Sequence, residues 1–297
     1  MSSVPADRPQ PDVTVIVIGH NVVSEVLACL GSLREHAGGL ALHVVYVDNG
    51  SRDGSADAVA GAFPDTEVVR LPKNRGLPAR NEGLRRARGR LRMFIDTDAV
   101  VTAGALQAMV ELLDSRPEVG LVGPRLVYPD GRLQPSARRY PPLMLPVARR
   151  PPFERLLGDG RTVRWHLMLD DQPLPERRVE YVLGACQMFT AAAQHAAGEI
   201  DERQFFGPDD ADWCLAIRSA GYDVRYLPGA TVVHDYRRST AARPLSRLAL
   251  YHLRGFVHFQ LKWRARRRAL IEEGRAMDRE AAVAPAGELR PLPGATR

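Results

Sequence analysis

The chain has 297 residues, 45% of them hydrophobic, enough for one large α/β domain with a sizeable core or for two small ones. Its formal charge is +6, yet residues 237–268 hold ten Lys/Arg and no Asp/Glu, so the rest of the chain nets −4 (+6 less ten). That imbalance argues against a general nucleic-acid binder, whose basic residues belong to a recognisable motif. No run approaches the roughly 18 apolar residues of a membrane span. The opening MSSVPADRPQPD lacks the apolar stretch of a secretory signal, so residues 1–11 read as a disordered polar lead-in. Cys29, Cys186 and Cys214 are odd in number and far apart, which fits reduced, buried thiols of a cytoplasmic protein rather than a disulfide frame or a zinc site.

From residue 13 to 122, short apolar runs alternate with helical patterns. VTVIVI (13–18) precedes a helix over 24–36 with Ser24 as its N-cap. LHVVYVD (42–48) is followed by the loop NGSRDGS and a short helix; EVVRL (67–71) leads to a loop and the helix PARNEGLRRAR. LRMFID (91–96) comes next, then the helix GALQAMVELLDS and the run VGLVGP (119–124). Near-continuous apolar strands separated by helices predict a parallel sheet covered on both faces. After Gly123 the texture changes: YPDGRLQPSARRYPP turns at Pro129-Asp130-Gly131, and residues 141–178 read as a loop-like acceptor-side insertion with some mobility. Patterning returns with VEYVLGACQMF (179–189), DWCLAIRSAG (212–221), DVRYLP and ATVVH. Leu245, Leu248, His252, Phe256, Phe259 and Trp263 then recur at three- and four-residue steps, predicting a basic amphipathic helical extension over 236–275. Residues 276–297 read as a disordered tail.

In open α/β sheets, ligands bind outside the carboxyl ends of the strands. Asp48, the loop after Leu71 and Asp96–Asp98 all lie at such ends and converge on one crevice. No GxGxxG follows the first strand and no GxxxxGK[ST] occurs, so dinucleotide and P-loop readings lack their phosphate cradles. A divalent metal, Mg²⁺ or Mn²⁺, held by the oxygens of Asp96 and Asp98 would neutralise a phosphate instead. The same two acids also read as caps for a helix beginning near Thr102, and a lone DxD does not separate the two.

The segments VVYVDNGSRDGS, KNRGLPARNEGL, FIDTDAVV, VYPDGRLQPSARRYP, VLGACQMF, FFGPDDADWCLAIRSAGYDVRYLPGATVVH and RST occur in that order. Together, over about residues 12–265, they resemble glycosyltransferase family 2, most closely its rhamnosyltransferase-like members that build bacterial cell-surface glycans. The resemblance implies an α/β GT-A fold: a Rossmann-like, mostly parallel sheet flanked by helices, spanning 12–235, with a nucleotide-binding half (12–124) and an acceptor half (125–235). It also implies a nucleoside-diphosphate sugar donor (dTDP-rhamnose or a UDP-sugar), a divalent metal, inversion at the anomeric carbon, and a glycan or lipid-linked acceptor. By the same resemblance, His20 and Asn21 line the nucleotide base and Asp48 contacts the base or ribose. Gly76, Arg80 and Asn81 match the NxGxxxARNxG pattern, with Arg80 approaching the diphosphate; a solvated helix residue is the other reading of Arg80. Asp98 is the stronger metal ligand, Asp96 lies nearer the ribose and also reaches the metal, and His234 completes the metal shell or is a structural strand-end histidine. In PDDADW, Asp209 stands where the family has Glu, Asp210 aligns with the general base, and Asp212 enriches a helix N-terminus in acid.

Three other readings compete. A sugar nucleotidyltransferase needs a glycine- and lysine-rich phosphate loop, whereas the first strand here runs into GHNVVSE. A processive synthase adds membrane helices and QxxRW, which QLKW (260–263) is not. A non-catalytic glycan- or partner-binding domain would have no use for Asp96, Asp98, Asp210 and His234 together. For the C-terminal extension, one reading is an ordinary helix packed on the catalytic domain. The other is a surface anchor that holds a cytoplasmic enzyme at the inner membrane face through Trp263 and the flanking cations Arg247, Arg254, Lys262 and Arg266-Arg267-Arg268.

Overall fold

The computed structural model describes residues 10–143, 145, 160–235 and 246–283. Most of the expected lead-in (1–9), Leu245 of the amphipathic stripe and the last 14 residues of the expected tail (284–297) lie outside the described residues. The first half runs β1 (Val13–Gly19), α1 (Val23–Glu35), β2 (Leu42–Asp48), α2 (Ser55–Ala62), β3 (Glu67–Arg70), a 3-10 turn (Leu77–Ala79) and α3 (Arg80–Leu84). It continues with β4 (Leu91–Asp96), β5 (Ala99–Val101), α4 (Ala105–Ser115) and β6 (Val119–Val127). The second half contributes β7 (Leu133–Gln134), β8 (Ala137–Arg138), α5 (Arg161–His166), a 3-10 turn (Leu169–Asp171), β9 (Arg177–Arg178), β10 (Tyr181–Val182) and β11 (Cys186–Thr190). It ends with α6 (Ala191–Ala197), α7 (Asp209–Ser219), β12 (Asp223–His234), α8 (Arg247–Lys262) and α9 (Arg267–Val283).

The main sheet has the order β3-β2-β1-β4-β11-β6-β12-β5. β3, β2, β1 and β4 pair in parallel, as do β6 and β12. The mostly parallel sheet expected from the apolar runs is therefore present, with one insertion. β11 enters between β4 and β6 antiparallel to both. Its residues Cys186–Phe189 are buried like those of a parallel central strand, so its direction leaves no mark in the hydrophobic pattern.

Strand alternation divides the core into two layers. Val13, Val15, Val17, Met93 and Ile95 pack with α1 and α4 residues such as Leu33 and Met109. Ile16, Phe94 and Phe189 point the other way, onto Trp213 and Ile217 of α7 and Phe259 of α8. Phe189 is the hub of the second layer, its ring centroid 4.8 Å from Phe94 and 5.3 Å from Trp213.

Several local expectations are corrected. Ser24 does not cap α1: the helix begins at Val23 without a side-chain cap, and the Ser24 hydroxyl donates to Glu25. The helix expected over PARNEGLRRAR shortens to a 3-10 turn and α3, where Gly83 lets the backbone press on Ile16. Residues 160–178 of the expected loop carry α5, a 3-10 turn and β9. The expected tail is helical through Val283, because α9 buries Leu270 and Met277 and sets Asp278 between Arg139 (2.9 Å) and Arg177 (2.7 Å).

From Leu248 to Trp263 the amphipathic stripe faces inward, as in the ordinary-helix reading, with Leu248 and His252 half-buried. Phe256 and Phe259 are buried, and so is Trp263, whose indole N–H donates to Asp212 Oδ1 at 2.7 Å. Lys262 Nζ lies 2.7 Å from the other oxygen of the same carboxylate, and Arg266 donates to Ser219. Trp263 is thus a strut between α8 and α7, not an interfacial anchor.

The close approach of α3 to β1 gives a direct test. A Cβ at Gly83 would stand 2.3 Å from Ile16 Cγ2, whereas one at Gly31 in α1 meets nothing within 4 Å. Gly83→Ala is expected to cost about 1–3 kcal/mol by overpacking, and Gly31→Ala to be neutral or to stabilise by up to about 1 kcal/mol. Urea unfolding with an unchanged slope measures both, and equal midpoints for the two variants would contradict this packing.

Candidate active site

Parallel register sets the floor of the site. Gly19 at the end of β1 is level with Asp48, and Ile18 is level with Asp96, so the two acids emerge on either side of one strand end. Beside them opens a crevice of about 350 Å³, lined by Ile18, Val22, Glu25, Leu77 and Asp96–Asp98. Asp48 is nearly buried; its Oδ2 accepts from the Ser51 backbone N–H at 3.3 Å, and its Oδ1 has no hydrogen-bond partner.

Two loops form one rim next to Asp48. Asn21 adopts a left-handed backbone (φ +58), which Asn tolerates better than most residues. Its N–H donates to Ser51 Oγ at 3.0 Å and its side-chain oxygen accepts from the Arg52 N–H at 2.9 Å. His20 is exposed, with its Nδ1 at 3.1 Å from the Asn49 carbonyl. Asn49 escaped the sequence reading, although it directly follows Asp48. Its amide donates to Asn74 Oδ1 and to the Gly76 carbonyl and accepts from the Arg75 N–H, tying the loops after β2 and β3 together.

Gly76 has φ +71, and a Cβ there would stand 2.0 Å from the Phe205 carbonyl oxygen. That closeness lets the Leu77 N–H donate to the same oxygen at 3.0 Å. The donor-side loop is thereby docked on the segment leading to Asp209. Asn81 is not at the crevice. It is fully buried and spends both ends of its amide on Ile200, donating to its carbonyl and accepting from its N–H, each at 2.9 Å. Its expected place in the nucleotide-sugar set is therefore withdrawn.

Arg80 is buried rather than solvated. One guanidinium nitrogen lies 2.7 Å from Asp96 Oδ1 and another 2.7 Å from Asp209 Oδ2, and the group stands over the Phe94 ring. Its two terminal nitrogens are thus directed at protein carboxylates, and one of them also reaches the Gly184 carbonyl at 3.4 Å. Burial pushes the carboxyl of Asp96 up against the pull of Arg80, and it does the same to Asp209. Asp210 is less buried and accepts from two backbone N–H groups, Ala211 at 2.8 Å and Gly184 at 3.4 Å. Burial raises its carboxyl too, with the Arg138 cation as the strongest counterweight. Arg138 stands within the motif VYPDGRLQPSARRYP, but nothing in that string shows which acid it faces.

The helix-cap reading of the two acids fails at α4, which starts at Ala105 behind Gly104 and takes no side-chain cap. Asp96 and Asp98 are not caps. Antiparallel pairing of β12 with β5 sets His234 against Ala99, and the Asp235 N–H donates to the Asp98 carbonyl at 3.0 Å. One ligand atom each from Asp96, Asp98 and His234 lie within 4.8 Å of one another. The His234 Nδ1 donates to Gln134 Oε1 at 2.7 Å, which leaves Nε2 facing Asp98 Oδ1 at 3.4 Å. Such an outer partner fixes the ring of a metal-ligating histidine. Two carboxylates and one imidazole fit a divalent cation, and Gln134 on β7 is a supporting residue that the sequence reading missed. The thiols of Cys29, Cys186 and Cys214 are all buried and pushed up, so none is a nucleophile.

Removing the cation at the centre is expected to be costly. Arg80→Met leaves Asp96 and Asp209 without their partner and should destabilise the chain by about 3–5 kcal/mol, read by denaturant unfolding. A loss under about 1 kcal/mol would show that the pair contributes no more than exposed ion pairs do.

A family model described as Glycosyl transferase family 2 matches residues 14–164. The chain is 27% identical over 230 residues to an N-acetylglucosaminyl-diphospho-decaprenol L-rhamnosyltransferase of Mycobacterium tuberculosis (strain ATCC 25618 / H37Rv), covering 72% of this chain and 73% of that one. It is 30% identical over 236 residues to a pre-mycofactocin glycosyltransferase of the same strain, covering 78% of this chain but 44% of that one. Among solved structures, GalNAc-T7 with UDP, GalNAc and Mn²⁺ superposes with a TM-score of 0.58 at 16% identity, over 77% of this chain and 44% of that one. Staphylococcus aureus TarS 1–349 in complex with UDP-GlcNAc gives 0.54 at 16% identity, over 76% and 59%. At that identity the two structures establish a shared fold and nothing finer.

Proposed function

The chain belongs to glycosyl transferase family 2 and is a GT-A glycosyltransferase, and we propose that it moves a sugar, with inversion, from a nucleoside diphosphate to a hydroxyl of a glycan or lipid-linked acceptor. The carrying observation is the convergence of Asp96, Asp98 and His234 at one end of the crevice, beside the buried Arg80–Asp209 pair that adjoins Asp210. For the donor we favour dTDP-rhamnose, on the name of the 27% identical mycobacterial relative, whose diphospho-decaprenol acceptor also motivates the lipid-linked reading. UDP-sugars are the second reading. The rim of His20, Asn21 and Asp48 receives the nucleoside, with the unpaired Asp48 Oδ1 as acceptor for a base N–H or a ribose hydroxyl.

Asp96, Asp98 and His234 would hold the divalent ion, Mn²⁺ or Mg²⁺. Bound there, such an ion offsets the charge that the leaving diphosphate gains as the glycosidic bond breaks. The protein's own work is positioning and proton transfer. Asp210 takes the proton of the acceptor hydroxyl as that oxygen attacks the anomeric carbon. Asp209, held by Arg80, is the poorer base because its carboxylate is already engaged. Arg80 ties the donor-side acid Asp96 to the residue next to the base, so it acts as a positioning residue rather than a diphosphate ligand.

Incubation with a panel of nucleotide sugars and Mn²⁺, followed by nucleoside diphosphate release, tests the reading; no release from any donor supports a non-catalytic binding domain. Asp98→Ala should abolish metal-dependent binding of nucleoside diphosphate in calorimetry, because a hard ligand is lost beside the phosphates. Unchanged metal-dependent affinity would remove Asp98 from the metal site.

Asp210→Asn should leave donor affinity nearly intact and lower turnover by about 10²–10⁴-fold. A comparable loss in Asp209→Asn alone would reverse the assignment. The pH profile carries its own sign. A base works deprotonated and the Asp210 carboxyl is raised, so kcat/KM should fall with acid along a limb above the ordinary carboxylate range near about 4. Arg138→Gln removes the counterweighting cation and should move that limb further up; a limb that moves down or stays would show that Arg138 does not act on the base.

A further inference from the structure

α8 has a second apolar face. Leu250, Leu253, Val257 and Leu261 are 56%, 41%, 50% and 58% exposed, and their spacing of three, four and four residues lines them along one side of the helix. The opposite side, with Phe256 and Phe259, supplies the packing onto the domain. Exposed Arg247 and Arg254 fall on the outer face beside the leucines, and among the described residues neither has an ion-pair partner. Residues 246–268 carry seven Lys/Arg and no acid. A contiguous exposed apolar stripe of this kind marks an interaction surface.

We propose that the outward face of α8 lies on the surface of an anionic lipid bilayer, with the leucines and Val257 in the headgroup–acyl boundary and Arg247 and Arg254 on lipid phosphates. The helix has the composition of an interfacial segment, apolar on one face and cationic around it. Pairing this face with its own copy would set arginine against arginine, which disfavours a homodimer. No described helix is long and apolar enough to cross a membrane. The face is also well placed. Tyr251 of α8 stacks on Phe205 at 4.5 Å, and His258 lies 3.0 Å from Asp201, so the helix supports the loop that leads into Asp209 and Asp210. The inference deepens the proposed function and rests on its lipid-linked acceptor reading for its purpose, whereas the binding itself does not depend on catalysis.

Sedimentation of the full chain with vesicles of phosphatidylcholine alone, and of phosphatidylcholine mixed with phosphatidylglycerol, tests it. The expected result is binding to the mixed vesicles only, weakened by salt. A Leu250→Ser/Leu253→Ser/Val257→Ser/Leu261→Ser variant and an Arg247→Gln/Arg254→Gln variant should each weaken vesicle binding by about tenfold or more. Their unfolding midpoints and vesicle-free donor hydrolysis should match the parent. Absence of binding to mixed vesicles, or unaltered binding by both variants, overturns the proposal. So does light scattering that shows a dimer in the parent and a monomer in the serine variant, because the face would then belong to a second copy. Intact vesicle binding without hydrolysis of any donor would sink the enzymatic reading and leave the docking surface standing.

Discussion

One buried cation organises this molecule. Arg80 reaches from the donor-side half to Asp96 at the end of β4 and to Asp209 at the start of α7, elements 113 positions apart along the chain by their residue numbers. A buried guanidinium is tolerable only when its donors are filled, and a buried carboxylate only when a donor faces it. Each of the three groups therefore fixes the other two. The consequence is geometric: Asp96 of the proposed metal site and Asp209, next to the proposed base, cannot drift apart without leaving charge stranded. Gly76 and Asn81 reinforce the same seam, one by docking Leu77 on Phe205 and the other by holding Ile200. The segment carrying Asp209 and Asp210 is thus fastened to the donor-side half from three directions.

What the sequence revealed follows from which forces leave a periodic trace. β1, β2 and β4 were legible because strands buried on both faces are unbroken apolar runs, and Asp48 and Asp96 were legible because a charge ending such a run is costly unless used. β11 looked the same as these, yet its direction is set by a connection of nearly sixty residues (128–185) with no single period running through it. The stripe of α8 gave its period correctly but left two readings of its surroundings, packing on the domain or contact with a membrane. Period fixes which residues share a face, and only the partner, here Asp212 with Trp263, decides whether that face is inside. Asn81 shows the same limit for motifs. It stands within a pattern that implied a ligand role, and its amide is consumed by a backbone three-dimensionally adjacent but 119 residues away. Gln134, Asn49 and Arg138 were missed for the converse reason, since each acts by supporting another residue.

The charges of the site argue for its chemistry more strongly than any single residue does. Asp48, Asp96, Asp98, Asp209 and Asp210 gather around the strand ends, and the cations acting on them, Arg80 and Arg138, are directed at Asp96, Asp209 and Asp210. Asp98 faces Nε2 of His234 across 3.4 Å, and the other ring nitrogen is held at Gln134 Oε1. A sugar diphosphate adds further negative charge to this region, where reduced dielectric makes each unpaired charge more expensive. Arg80 is committed to protein carboxylates rather than to a ligand phosphate. The proposed hard cation, held by Asp96, Asp98 and His234, would offset that negative charge. In that proposal the ion and the buried Arg80 have complementary roles that meet at Asp96: the arginine neutralises Asp209 and shares Asp96, and the ion would offset the charge of the diphosphate.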